Sequence, residues 1–420
     1  MQLNPKEYRP RLADEKLTEL LSAFGGVLIV GPKWCGKSWT ASMQAHSEVY
    51  IDLKENRERA LLLPDVVLEG ESPRLIDEWQ DAPILWDAAR RRIDSLHRPG
   101  LFIFTGSSVP PEEETSHTGT GRFARMQMRP LSLFESGDSN GTVSLKALFA
   151  DGSIEPCVSE MDFRKALNLI CKGGWPASFW MNDKASMLIP GEYIKAIARK
   201  DISRIDGVRK DPNRVMLLLR SLARNTATVA KTSTLRNDIS RDGGEVGDQT
   251  IRAYYEALKL IYAIEEQEAW RPSLRSKTRL RTSPKRHFAD PSLAAAALGA
   301  TPELLSEDIK TAGFLFESMC FRDLCVYSDT LNGTVLHYQD EKGLEIDEIV
   351  SLTDSRWGAF EVKLGSFEFD SAAANLLKLR KKMMDIVQPP SFLAILTASG
   401  GMAYMRKDGV VVIPLDCLKP

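Results

Sequence analysis

The sequence predicts an α/β protein: a parallel-sheet domain first, a helical middle, and a second α/β domain at the end. Three observations predict it. Short, wholly apolar runs (Val27–Val30, Val49–Ile51, Leu101–Phe104) alternate with helical patterns such as Ile84–Leu96, and buried apolar strands alternating with helices read as a parallel sheet. From Phe163 to about Ala263 the pattern is helical. The tail returns to strands at Thr334–Tyr338, Leu344–Leu352, Ala359–Leu364, Phe392–Leu396 and Val410–Pro414, with one helical stretch, Ala372–Ile386, between the third and fourth.

At 420 residues the chain has room for two to three domains of about 150 residues each. The expected division is 1–150, 151–306 and 307–420, with residues 136–153 as a loop between modules. A hydrophobic content of 43% excludes an intrinsically disordered chain. Lys plus Arg is 55 against 57 Asp plus Glu, which excludes a polycation or a polyacidic tail but leaves local basic patches open. No apolar stretch approaches the ~20 residues of a membrane span, and the first residues lack the apolar core of a signal peptide. The six cysteines form no CxxC pair and no zinc spacing. A reduced, cytoplasmic location is expected.

Chemistry enters at Gly31-Pro32-Lys33-Trp34-Cys35-Gly36-Lys37-Ser38, which fits GxxxxGK[ST]. It lies between a strand and a helix, the context a phosphate-binding loop requires. The two glycines let successive backbone N–H groups point at phosphate oxygens, and the following helix adds its positive N-terminal end. Lys37 is placed for the β- and γ-phosphates and the Ser38 hydroxyl for Mg²⁺. The expected ligands are therefore ATP and Mg²⁺.

An acidic element should follow on a neighbouring strand, and Leu75-Ile76-Asp77-Glu78 supplies it. Asp77 would hold the Mg²⁺ shell, and Glu78 would orient or deprotonate the attacking water. The run Leu101–Ser108 is a strand ending in hydroxyls, with Ser107 as a sensor of the γ-phosphate; the alternative is a simple turn. Arg122 in Gly121–Arg125 reads as a finger on a transferring phosphate, in cis or from a neighbouring subunit. The other reading is a tether for the polar loop before it.

Gly31–Ser38, Leu75–Gln80, Thr105–Ser108, Gly121–Arg122 and Pro130–Glu135 together resemble the prokaryotic AAA-type ATPases fused to a C-terminal domain of unknown function. Gly173–Pro176, Asp201-Ile202 and Asp290–Leu293 resemble that family's middle signatures. Gly313–Glu317, Glu345–Asp347 and Glu361–Lys363 resemble its tail. The resemblance implies an ATP-binding protein of poorly defined biological role; self-association through the ATPase domain is a further expectation. Trp34-Cys35 departs from the small or polar pair usual in this loop, at a place where the backbone does the binding.

In the middle, Ser233–Ile239, a turn with Gly243, Gly244 and Gly247, and Gln249–Ile264 make a helix-turn-helix skeleton of winged-helix type, with Thr250, Arg252 and Tyr255 near the start of the second helix. Arg271, Arg275, Lys277, Arg279, Arg281, Lys285 and Arg286 follow with no acidic residue among them. Such a loop suits a wing on double-stranded DNA, or is merely solvated. Trp175, Trp180 and Trp270 read as core.

In the tail, alternation places Glu361 and Lys363 on one strand face, Asp347 lies on the preceding strand, and Glu317 lies on the helix Gly313–Val326. Asp, a gap, then Glu-x-Lys resembles the restriction-endonuclease-like fold. Asp347 and Glu361 would be metal ligands, with Lys363 as a companion orienting a metal-bound water. The alternatives are a binding-only fold or a surface ion pair. The leading reading is an ATPase acting on DNA. Its rival is a nucleotide-dependent switch or scaffold that binds a protein and cuts nothing. A nucleotide kinase is disfavoured because most of the chain lies beyond the expected site.

Overall fold

The computed structural model describes residues 8–108, 118–204, 210–243, 247–272 and 283–420. Their contacts form two compact units, one of 1–130 with 200–210 and 256–263, the other of 131–199, 211–255 and 264–420. The modules expected from sequence group these residues differently: 131–150 fall in the second unit, which 151–306 and 307–420 largely share.

In the first unit, α1 (Ala13–Ala23) precedes β1 (Gly26–Val30), α2 (Lys37–Gln44), β2 (Ser47–Tyr50), α3 (Lys54–Leu62) and α4 (Pro64–Val67). Then come β3 (Arg74–Asp77), α5 (Ile84–Leu96), β4 (Phe102–Gly106) and β5 (Phe123–Gln127). All five strands are parallel, in the order β2-β3-β4-β1-β5. Because side chains alternate along a strand, each strand feeds two cores. Val27, Ile29, Leu75 and Ile103 pack with Leu17 and Leu21 of α1, whereas Ile76, Phe102 and Phe104 pack with Leu85, Trp86 and Ala89 of α5. Strand β5 is not announced by its sequence, since Phe-Ala-Arg-Met-Gln lacks the unbroken apolar run of a central strand and sits at the sheet edge.

The second unit begins with α6 (Leu133–Ser136), β6 (Val143–Ser144), α7 (Leu145–Ala150) and β7 (Cys157–Val158). The stretch expected as loop thus holds short elements, with Leu145, Leu148 and Phe149 buried. The helices α8 (Phe163–Lys172), α9 (Asp183–Ser186), α10 (Leu188–Ala196), α11 (Pro212–Arg224) and α12 (Thr232–Gly243) follow, then α13 (Asp248–Leu260), whose residues from 256 onward count with the first unit, and the antiparallel pair β8 (Ile264–Gln267) and β9 (Lys285–Phe288). Of the three tryptophans expected in the core, Trp175 and Trp270 are buried, but Trp180 is 72% exposed.

After α14 (Pro291–Leu298), α15 (Pro302–Glu307) and the long α16 (Ile309–Asp329) come β10 (Gly333–Gln339), β11 (Glu345–Leu352), β12 (Trp357–Gly365), α17 (Phe369–Met383), β13 (Phe392–Ser399), β14 (Met402–Met405), β15 (Val411–Pro414) and β16 (Leu418–Lys419). The mixed sheet runs β10-β11-β12-β13-β15-β14-β7. Helix α17 lays Ala372, Ala373, Leu376 and Leu379 on a core that includes Trp357, Leu393 and Ile395. Among the described residues, no helix is long and apolar enough to cross a membrane.

Two of the middle signatures, Gly173–Pro176 and Asp290–Leu293, meet in one buried polar knot. Asp290 caps α14 through the Ser292 N–H (2.9 Å) and also accepts the Gly174 N–H (2.9 Å) and the Arg322 guanidinium (2.8 Å). Arg322 pairs with Asp323 at 2.6 Å, and Asp323 accepts the Leu133 N–H at 3.0 Å. A Cβ at Gly174 would stand 2.0 Å from the Leu131 carbonyl oxygen, so only glycine allows this approach. The knot is structural, with Arg322, Asp290 and Asp323 all buried. Removing one partner strands an uncompensated charge. Arg322→Ala is therefore expected to lose about 3–5 kcal/mol in urea unfolding. An unchanged midpoint would contradict this account.

Candidate functional site

Parallel strands end at one edge, and there the first unit gathers its polar groups. The loop after β1 folds sharply, with Gly31 at φ 149° and Gly36 at φ 102°. A Cβ at Gly31 would lie 2.2 Å from the Met128 carbonyl oxygen, so the turn admits no side chain. Cys35 is buried with its thiol toward Met128 O (3.8 Å), whereas Trp34 is 56% exposed. The bulky pair thus splits, one residue filling the core and the other pointing outward. Arg11 braces the loop through the Cys35 carbonyl at 2.8 Å. Lys33 is bonded to Asp201 at 2.6 Å. Pro32 and Gly31 offer their carbonyls to the Lys37 ammonium, at 2.8 and 3.0 Å. The buried Lys37 therefore crosses the inside of the loop, where phosphate oxygens would replace those carbonyls.

Asp77 ends β3. Burial raises its carboxyl above the usual range, opposed by hydrogen bonds from the Ser38 and Thr105 hydroxyls. Ser38 and Asp77, the two groups expected around Mg²⁺, therefore meet. Thr105 donates to Asp77 at 2.5 Å and accepts the Glu78 N–H at 3.2 Å, so one hydroxyl aligns both acids. Glu78 itself is left-handed, at φ 53°. Its carboxylate Oε2 accepts the Ser107 hydroxyl at 2.9 Å and the Gln80 amide. Sequence reasoning placed Ser107 here but gave no role to Thr105 or Gln80. The available signal was their position, one at the end of β4 and the other two residues after the acid pair.

Arg122 stands elsewhere. Gly26 of β1 is in register with Phe123, and the Gly26 N–H bonds the Arg122 carbonyl at 3.1 Å. Arg122 thus lies at the amino edge of the sheet, whereas the phosphate loop leaves the carboxy edge. It pairs there with Asp94 at 2.8 Å, which lowers the Asp94 pKa. A finger role in cis is corrected by this placement, because the whole strand length separates the two. Arg125, farther along β5, reaches the Tyr262 hydroxyl.

The expected wing is only partly described. Arg275, Lys277, Arg279 and Arg281, like Gly244, lie outside the described residues. Lys285 and Arg286 are both engaged within the chain, which corrects their reading as solvated wing cations. Arg286 sits 5.0 Å over the Tyr255 ring and bonds the Ala230 carbonyl. Tyr255 is buried, its hydroxyl on Glu266 at 2.7 Å, so it cannot read a base either. Thr250 is partly exposed and Arg252 exposed.

Lys285 is 1% exposed, with its ammonium 2.7 Å from Glu317, 3.0 Å from Glu345 and 3.6 Å from Asp347. Lys363 lies 2.8 Å from Glu361 and 3.4 Å from Asp347. The tail residues therefore do converge, Asp347 standing between two lysines and also accepting the Val362 N–H at 2.9 Å. Between Asp347 and Glu361, where a divalent ion was expected, the Lys363 ammonium bridges the two carboxylates. Among the described residues, no three His, Cys, Asp or Glu side chains form a metal-holding group. Burial would raise Asp347, but Lys285 and Lys363 hold it low. Burial, helped by Asp347, pushes Glu361 up to about 7 against the pull of Lys363.

The loop, the acid strand and the all-parallel sheet define a P-loop ATPase-type domain in the first unit. Residues 24–136 match the family model of the AAA domain. Residues 164–304 match a domain of unknown function, DUF8612, and residues 312–418 another, DUF4143. Nothing among curated proteins matches this chain. Of solved structures, the Walker-type ATPase of Pyrococcus abyssi is similar at 16% identity, covering 70% of this chain and 99% of its own, with a TM-score of 0.45.

A carboxyl whose folded pKa exceeds its unfolded value contributes stability that is full at low pH and is lost as pH rises through the folded value. For Glu361 that window runs from 4.5 to about 7. The stability of the wild type relative to Glu361→Gln should fall across it, read as the difference in unfolding midpoints. Parallel pH curves would show that Glu361 titrates as in the unfolded chain.

Proposed function

We propose that this protein binds and hydrolyses Mg²⁺–ATP at the site formed by Gly31–Ser38, Asp77, Glu78 and Ser107. The observation that carries this reading is the convergence of Lys37, Ser38, Asp77 and Glu78 at one sheet edge, with Thr105 aligning both acids. The residues fit the ligand. Glycine-permitted backbone cradles the phosphates, Lys37 carries charge to the β- and γ-phosphates, and Ser38 with Asp77 would hold Mg²⁺. Glu78 would take the proton of the attacking water, and Ser107 would sense the γ-phosphate. Arg122 would act in trans, on the nucleotide of a self-associated neighbour. All six cysteines are free thiols, in keeping with a cytoplasmic setting.

The wider proposal keeps 1–150, 151–306 and 307–420 as sequence modules and has the chain act on double-stranded DNA. Its support is the order α11, α12, α13 and the β8–β9 pair, which has the sequence of elements of a winged helix, and the Asp347–Glu361–Lys363 cluster of a nuclease-like tail. Lys285 favours the second reading, a switch or scaffold without cleavage, because its ammonium already balances the carboxylates.

Lys37→Ala should abolish ATP turnover in a protein that still folds, because the β- and γ-phosphates lose their cation. Glu78→Gln should bind ATP normally and hydrolyse it slowly, by about a hundredfold or more. Full steady-state turnover in either variant would sink the ATPase assignment. For the tail, plasmid nicking by the full chain with Mn²⁺ should be undetectable in the wild type. Nicking that disappears in Asp347→Ala would instead establish a nuclease.

A further inference from the structure

We infer that Gln80 is a positioning residue for hydrolysis, holding the Glu78 carboxylate toward the attacking water; this rests on the ATPase reading above. Trp79–Asp81 form a single tight helical turn directly after Glu78. The turn is anchored by Trp79, whose ring stacks on Trp86 at 5.0 Å and meets Phe104 edge-on at 6.0 Å. Gly106, at the end of β4, lets the turn close in: a Cβ there would stand 3.0 Å from the Trp79 indole nitrogen and 3.1 Å from the Gln80 amide oxygen. Packing of Trp79 therefore sets where Gln80 stands, and the Gln80 side chain is free to serve another purpose.

That side chain donates its amide N–H to Glu78 Oε2 and lies 3.5 Å from the Ser107 hydroxyl, which donates to the same oxygen at 2.9 Å. The carboxylate only accepts, so the amide nitrogen must face it, and this orients the group. The amide oxygen is then directed away from Glu78, buried and without a hydrogen-bond partner. Buried acceptors rarely stay unpaired. A donor of the size of water would satisfy this one.

Ser107 and Gln80 hold Glu78 in different ways. A γ-phosphate draws the Ser107 hydroxyl to its own oxygens, so that donor leaves the carboxylate when substrate arrives. Gln80 stays, because no phosphate needs its amide. It then carries the orientation of Glu78 through the chemical step, in which the water oxygen bonds the γ-phosphorus, the bond to the leaving ADP oxygen breaks, and the water proton passes to Glu78. The amide gains nothing from ground-state ATP, so its effect falls on turnover and not on binding.

The test uses the full chain with Gln80→Met, which keeps length and removes both polar groups, and Gln80→Ala should the first not fold. Turnover should fall about ten- to a hundredfold, with the dissociation constant of a fluorescent ATP analogue within about twofold of wild type, since uniform binding is untouched. In a Glu78→Gln background, Gln80→Met should add less than about twofold, since groups that act as a unit are non-additive. Unchanged turnover, an equal loss of binding, or a full multiplicative effect on Glu78→Gln each overturns the proposal. If Lys37→Ala and Glu78→Gln behave as expected while Gln80→Met turns over normally, only the Gln80 role falls. If the wild type has no turnover sensitive to Lys37→Ala, the ATPase reading falls and takes the Gln80 role with it.

Discussion

Strand β4 between β1 and β3 is the constraint on which the site depends. Parallel pairing puts Val30, Asp77 and Gly106 at one edge, in a fixed register. The inserted strand brings Thr105 between the phosphate loop and the acid strand, and a buried hydroxyl there can donate to Asp77 while accepting the Glu78 N–H. Without that bridge, Asp77 would keep one hydroxyl donor against its burial, and Glu78 would lose the contact that holds its left-handed backbone. The apolar alternation that fills both cores also fixes which way Thr105 points, so packing and chemistry are specified by the same residues.

The second unit solves a different problem, that of keeping charge inside an apolar interior. Two clusters do this. One is Arg322 between Asp290 and Asp323, and the other is Lys285 and Lys363 among four carboxylates. In both, the cation comes from a different element than at least one of its acids, so the charges tie β9 and α14 to α16 and the hairpin β11–β12. Buried pairs of this kind weigh little in net stability but heavily when one partner is lost.

Much of this was legible in the sequence because it depended on local pattern. The apolar runs Val27–Val30 and Leu101–Phe104 and the loop Gly31–Ser38 announce their structure by composition alone. Asp77 and Glu78 needed only their strand. What escaped was set by long-range pairing. Edge strand β5 carries no apolar run, because most of its side chains are only partly buried there. The sequence shows Lys285 as one basic residue among seven, and nothing local distinguishes a lysine that will be buried on Glu317 from one that will be solvated. Arg122 was read for its chemistry; only the β1–β5 register shows that it stands at the far edge. The convergence of the tail cluster is legible in strand alternation, while its compensation by Lys285 is not, since that lysine comes from another element.

The bond between Lys33 and Asp201 joins the phosphate loop to a segment far along the chain. Linkage through such a contact is reciprocal. If nucleotide shifts the loop carbonyls that Lys37 now holds, the Lys33–Asp201 bond changes in free energy, and whatever restrains Asp201 must change the affinity for nucleotide by the same factor. An anchoring contact of this kind would then make the loop one end of a thermodynamic balance, whose other end lies at Asp201 and its neighbours.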